Sequence, residues 1–113
     1  MNTEEKLELI RRNTEEILGE DGLRKLFGKK EKPAVYLGTA ITGSPHVAYF
    51  TWAIKLADFL KAGFKVKVLL ADLHGALDGT PCEILEKRYY YYKNIILNIN
   101  YVFFQILMVY FFL

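Results

Sequence analysis

The chain has 113 residues, 52% hydrophobic and 25% charged, which suits one small α/β domain with a single core and is too short for two domains. Its formal net charge is only +2, with the 15 Lys and Arg spread along the chain, so no basic stripe marks a nucleic-acid face and charge alone names no partner. Cys82 is the only cysteine, which excludes an internal disulfide and any CxxC metal site, and the polar start Met1-Asn2-Thr3-Glu4-Glu5-Lys6 lacks the apolar run of a secretory signal, so a cytoplasmic protein is expected.

Residues 4 to 18 place Leu7, Ile10, Thr14, Ile17 and Leu18 at three- and four-residue spacing among Glu and Arg, predicting an amphipathic helix that Gly19 ends. Asp21 can cap a short second helix through Phe27, and Gly28 with the run Lys29-Lys30-Glu31-Lys32 predicts a solvated turn. Pro33 introduces Ala34-Val35-Tyr36-Leu37, a buried strand stopped by Gly38. A helix is expected from Pro45, because proline suits a first turn whose N–H groups have no partner, and Val47, Phe50, Ile54, Ala57 and Leu60 follow at helical spacing up to Gly63. Phe64-Lys65-Val66-Lys67-Val68 alternates and then becomes the apolar Leu69-Leu70-Ala71, predicting a second strand that enters a sheet interior and ends at Asp72. Thr80-Pro81-Cys82-Glu83 has the form of a capping box, with a helix from Pro81 to about Ile99. Strand, helix, strand, helix implies parallel pairing through a right-handed crossover, hence an open nucleotide-binding type of sheet.

Ligands of such sheets bind outside the carboxyl ends of the strands, and two polar segments fall there. The first is Gly38-Thr39-Ala40-Ile41-Thr42-Gly43-Ser44-Pro45-His46. Its glycines allow close backbone approach, and a helix start beside it would aim free N–H groups and a positive dipole end at a phosphate. The spacing is neither GxGxxG nor GxxxxGK[ST]. The second is Ala71-Asp72-Leu73-His74, a carboxylate and an imidazole beside that loop. Bland readings also fit: Gly38 and Gly43 as turn residues, Asp72 as a cap, His74 as a satisfied histidine, Tyr36 as a core aromatic and His46 as a surface histidine. The pattern alone reaches an α/β domain with an anionic-ligand site.

The segment Val35-Tyr36-Leu37-Gly38-Thr39-Ala40-Ile41-Thr42-Gly43-Ser44-Pro45-His46-Val47-Ala48-Tyr49 resembles the HIGH signature of class I aminoacyl-tRNA synthetases, in the form carried by eukaryotic and archaeal tyrosyl-tRNA synthetases, with His-Val-Ala-Tyr in place of His-Ile-Gly-His. The segments Lys55-Leu56-Ala57-Asp58-Phe59-Leu60-Lys61-Ala62-Gly63 and Leu70-Ala71-Asp72-Leu73-His74 are similar to the same family. The resemblance starts near Glu4 and runs to about Ile96–Ile99. It implies the N-terminal part of a Rossmann-like (HUP-type) parallel-sheet domain, with N-terminal helices over 1–32, a partial catalytic domain over 33–99 and an atypical apolar tail over 100–113. It implies a tyrosine–tRNA ligase that forms tyrosyl-adenylate from tyrosine and ATP, with Mg²⁺ accompanying ATP and no protein-bound metal, and then charges tRNA-Tyr as a homodimer. By the same resemblance His46 and Thr42 would be catalytic, and Gly38, Thr39, Gly43, Pro45, His46 and Tyr49 would line ATP. Tyr36, Ala71, Asp72 and His74 would receive tyrosine, with Tyr36 bonding the substrate phenol.

Other parts of that family's machinery do not occur in these 113 residues: a tyrosine-specificity helix, a KMSKS-like lysine loop and an anticodon-binding domain. The chain is therefore expected to be inactive by itself, or to act as a non-catalytic ATP-, tyrosine- or protein-binding fragment. From Asn94 through Leu113 there is no charged residue. Ile95–Leu113 approaches the ~20 apolar residues of a bilayer span, which would make a membrane tail anchor. Asn98, Asn100 and Gln105 oppose that. The alternative is coding sequence foreign to the family, rich in residues with AT-rich codons.

Overall fold

The computed structural model describes residues 1–29, 32–103 and 108–111, with 100–103 and 108–111 described as backbone. Lys30 and Glu31 of the expected basic turn, and residues 104–107, 112 and 113 of the tail, lie outside the described residues. The elements are α1 (Thr3–Arg11), α2 (Glu20–Lys29), β1 (Ala34–Ala40), α3 (Tyr49–Lys61), β2 (Lys65–Ala71), α4 (Asp72–Leu77), α5 (Cys82–Phe103) and β3 (Met108–Phe111).

The first helix begins on a capping box, Asn2 accepting the Glu5 N–H at 2.9 Å while the Asn2 N–H donates to Glu5 at 2.8 Å. It stops at Arg11, well before the expected Leu18, because α3 intervenes. The Lys55 ammonium donates to the Ile10 carbonyl at 2.6 Å and to the Arg12 carbonyl, closing the helix end as a basic side chain at a C-terminus does. Arg12 turns its guanidinium to the buried carboxylate of Asp58. Asn13 then takes a left-handed backbone, φ 57°, which asparagine tolerates better than most residues. Gly19 opens α2, its carbonyl accepting the N–H groups of Gly22 and Leu23 at 2.9 and 3.2 Å. Asp21 thus lies inside α2, one residue after its start.

Strand β1 passes through Gly38 to Ala40 and pairs in parallel with β2 from Ala34↔Lys65 to Ala40↔Ala71. Alternation divides the pair into two faces: Val66, Val68 and Leu70 are buried, whereas Lys65 and Lys67 are exposed. The buried face forms one core with Leu56 of α3 and with Leu85, Tyr89, Tyr92 and Ile96 of α5. Those α5 positions repeat at three- and four-residue spacing, so a single stripe of this long helix covers the sheet. The opposite face, carrying Tyr36 and Gly38, is exposed.

Several sequence expectations shift. Helix α3 starts at Tyr49 rather than Pro45, with Ala48 at its cap position. A six-residue helix, α4, follows β2 directly where none was expected. The expected capping box before α5 is not available, because the Thr80 N–H is spent on the Gly75 carbonyl at 3.0 Å, and the first α5 turn closes on the Pro81 carbonyl. Helix α5 also continues past Ile99 to Phe103, and the backbone of Met108–Phe111 adds a third strand parallel to β2, giving the order β1-β2-β3. Among the described residues no helix is long and apolar enough to cross a membrane.

Candidate functional site

The loop between β1 and α3 leaves the carboxyl end of β1 through Ile41, which is fully buried and anchors the exit. Helix α5 holds the loop on both sides of Thr42. The Arg88 guanidinium donates to the Ile41 carbonyl at 3.4 Å, and the Gly43 N–H bonds the Tyr92 hydroxyl. Tyr92 is 1% exposed and shares a 2.9 Å hydrogen bond with the Tyr49 hydroxyl. Burial, and then the bond to Tyr49, push the Tyr92 phenol up to about 12, so it is neutral and able to donate across the physiological range.

His46 sits three residues ahead of α3, its carbonyl accepting the Tyr49 N–H at 2.9 Å. Its exposed ring stands edge-on to Tyr49 with centroids 5.3 Å apart, and Tyr49 meets Trp52 at 5.6 Å and Tyr92 at 5.7 Å in the same manner. This line of T-shaped contacts, a favoured aromatic geometry, fixes the imidazole at the mouth of the loop without burying it. Thr42 is exposed and Pro45 half-buried beside it. Gly38 and Thr39 lie inside β1, paired with Leu69 and Leu70. A Cβ on Gly43 would meet nothing within 4 Å, and one on Gly38 only Leu69 Cδ2 at 4.0 Å. Packing therefore does not demand glycine at either position, and both backbones border open space that an approaching ligand can use.

The residues expected to receive an amino acid are spread more widely. Tyr36, 75% exposed, stands on the open sheet face opposite Lys67 and is not a core aromatic. Ala71 ends β2 on that side, two residues beyond Leu69. Asp72 is 8% exposed, accepts the Leu73 N–H at 2.8 Å, and borders an apolar cavity of about 290 Å³ between α4 and α5 with Leu85 and Tyr89. Burial, and secondarily the Asp72 charge, raise the Tyr89 phenol. His74 is exposed on α4 with Nε2 3.6 Å from the Asp78 carboxylate. The loop residues Thr42, Gly43, Pro45, His46 and Tyr49 are thus gathered, whereas Tyr36, Asp72 and His74 point to separate surroundings. Sequence reasoning missed Tyr92 and Arg88, although the spacing Leu85, Tyr89, Tyr92, Ile96 marks Tyr92 as inward-facing and hence as a phenol in need of a partner.

The family described as tRNA synthetases class I (W and Y) matches residues 28–111, a stretch that includes β3. The cytoplasmic tyrosine–tRNA ligase of Danio rerio is 50% identical over 98 residues, covering 85% of this chain and 18% of that protein. The tyrosine–tRNA ligase of Haloarcula marismortui is 47% identical over 98 residues, covering 85% of this chain and 28% of that protein. The crystal structure of the Archaeoglobus fulgidus tyrosyl-tRNA synthetase, complexed with L-tyrosine, superposes with a TM-score of 0.87 at 33% identity over 98% of this chain and 35% of that one. The chain therefore spans well under half the length of these relatives.

Proposed function

Because the chain belongs to the class I tRNA synthetases of the W and Y type, we propose that it is the nucleotide-binding part of a tyrosine–tRNA ligase, activating tyrosine with ATP and passing the tyrosyl group to tRNA-Tyr. The carrying observation is the gathered loop at the carboxyl end of β1, with two glycines whose backbones face open space and an exposed imidazole braced by Tyr49. Identity of about half to cytoplasmic tyrosine–tRNA ligases supports tyrosine as the amino acid and the cytoplasm as the compartment.

In this reading Gly38, Thr39, Gly43, Pro45 and Tyr49 accept the nucleotide, and His46 and Thr42 donate hydrogen bonds to phosphate oxygens as charge develops in the transition state. His46 acts by electrostatics rather than as a nucleophile. Tyr36 presents its hydroxyl on the open sheet face, where it would bond the substrate phenol; a substrate lacking that hydroxyl leaves Tyr36 without a partner and is disfavoured. Ala71, Asp72 and His74 would supply the rest of the amino-acid side. Mg²⁺ would arrive with ATP. Its ligands would be phosphate oxygens and water. A homodimer and tRNA-Tyr are the corresponding partners of the longer enzyme.

The test is tyrosine-dependent exchange of pyrophosphate into ATP, together with direct ATP binding. Binding that falls about tenfold in Gly38→Ala, a change that packing tolerates, is the expected result. ATP binding indifferent to Gly38→Ala would sink the nucleotide assignment, and binding without exchange would leave a binding role alone. Where exchange is present, His46→Ala should lower its rate by about two orders of magnitude while ATP affinity changes less.

A further inference from the structure

Beside the loop, on the flank away from the open sheet face, lies a cleft of about 330 Å³ lined by Gly43, Ser44, Lys87, Arg88 and Tyr91. We infer that this cleft is a phosphate-binding site, built by two cations of α5 and the Ser44 backbone and hydroxyl, with Tyr91 as a platform for an attached base. Four observations converge. Lys87 is exposed and makes no hydrogen bond or ion pair among the described residues, so its three donors are open to a ligand. Arg88 commits one N–H to the Ile41 carbonyl, which fixes the guanidinium while leaving further donors of its planar fork for a planar or tetrahedral oxyanion. No carboxylate lines the cleft, so the charge that faces it is that of the two cations. Finally, the two walls are tied together at Ile41 by Arg88 and at Gly43 by Tyr92, so the donors are ordered before any ligand arrives, which lowers the entropy that binding must overcome.

Tyr91 is 49% exposed and lies four residues beyond Lys87, on the same side of the helix. An aromatic face beside two cations is the pairing by which single-stranded nucleic acid and free nucleotides are held: base on ring, phosphate on cation. The phosphate can belong to a free polyphosphate or nucleotide, or to the backbone of an RNA strand, and the same donors serve both.

The experiment titrates the whole 113-residue chain with inorganic tripolyphosphate and, separately, with a six-residue single-stranded oligoribonucleotide, following the Ser44 amide and Arg88 guanidinium resonances. Saturable shifts at both groups are expected, weakening with salt. Lys87→Gln should reduce affinity about threefold and Lys87→Gln with Arg88→Gln about tenfold or more, whereas Lys25→Gln on the exposed side of α2 should leave it unchanged. Because Lys87 is exposed and makes no hydrogen bond or ion pair among the described residues, the single variant separates ligand contact from folding. Tripolyphosphate binding equal to or tighter than the oligonucleotide identifies the small-molecule source; tighter oligonucleotide binding that also falls in Tyr91→Ala identifies the strand. Affinity unchanged in the double variant, or lost equally in Lys25→Gln, or no shift with either ligand, overturns the site. Tripolyphosphate and oligonucleotide affinities unchanged by Lys87→Gln with Arg88→Gln, beside ATP binding that still depends on Gly38, would leave the nucleotide reading standing while this one falls.

Discussion

Tyr92 joins two requirements in one side chain: its ring fills the core, and its hydroxyl satisfies the Gly43 N–H and the Tyr49 hydroxyl. Tyr92→Phe keeps the ring but leaves those groups short of a partner, and should lower stability by about 1–3 kcal/mol, read from urea midpoints. The raised phenol also predicts alkaline sensitivity. Below pH ~10 folded and unfolded chains both hold the proton, so stability is flat. Above that the unfolded chain releases it while the folded chain keeps it until about pH 12, so stability falls across this interval. Tyr92→Phe should flatten that slope, and an unchanged slope would show that another group causes it. Asp58 is 1% exposed between Arg12 and Lys55. Removing it in Asp58→Ala leaves two cations uncompensated and should be destabilising by about 3 kcal/mol. The exposed pair Glu4–Arg24 should contribute less than about 1 kcal/mol by a double-mutant cycle. Gly75 is special for space alone: a Cβ there would sit 2.5 Å from Leu85 Cδ2, so Gly75→Ala should destabilise the fold through overpacking by about 1–3 kcal/mol, read from a lowered thermal midpoint.

At the scale of elements, what the sequence reveals divides by the origin of each signal. Both strands and the α5 stripe are legible because alternation and helical spacing are local properties of the chain. The end of α1 is not, because Lys55, more than forty residues away, closes it. Lys55 capping carries its own expectation: Lys55→Met preserves the stem packing but releases the Ile10 and Arg12 carbonyls, and hydrogen exchange of the last turn of α1 should quicken while that of α3 stays slow. Helix α4 escapes notice because six residues are too few for periodicity to register, and Pro45 misleads because proline also suits the turn that precedes a helix. The loop is legible as a ligand site from its glycines and its place after a strand, while the roles of Thr39, Thr42, Pro45, His46 and Tyr49 come from the family resemblance alone. Lys87 and Arg88 carry no motif that marks them in the sequence, and only the fold brings them beside Gly43 and Ser44.

For the whole molecule, a sheet covered on one side by α3 and α5 leaves the side bearing Tyr36 and Gly38 free, and of the proposed contacts Tyr36, Gly38 and Ala71 lie on that side, whereas Asp72 borders the cavity between α4 and α5. The tail illustrates how composition and topology inform different questions. Read as a string, residues 100–113 have no charge and suggest material foreign to the family; as backbone, Met108–Phe111 extends the sheet in register with Lys67–Leu70, within the stretch that the family matches. The parallel register carries a further consequence for how the chain folds. Val35 meets Val66 and Lys67 meets Met108, separations of 66 − 35 = 31 and 108 − 67 = 41 residues, so neither strand pairing can be nucleated by a hairpin. Each requires closure of a long segment before any ladder bond forms. During synthesis β1, α3 and β2 leave the ribosome before β3 does, so the β1-β2 pairing is available first.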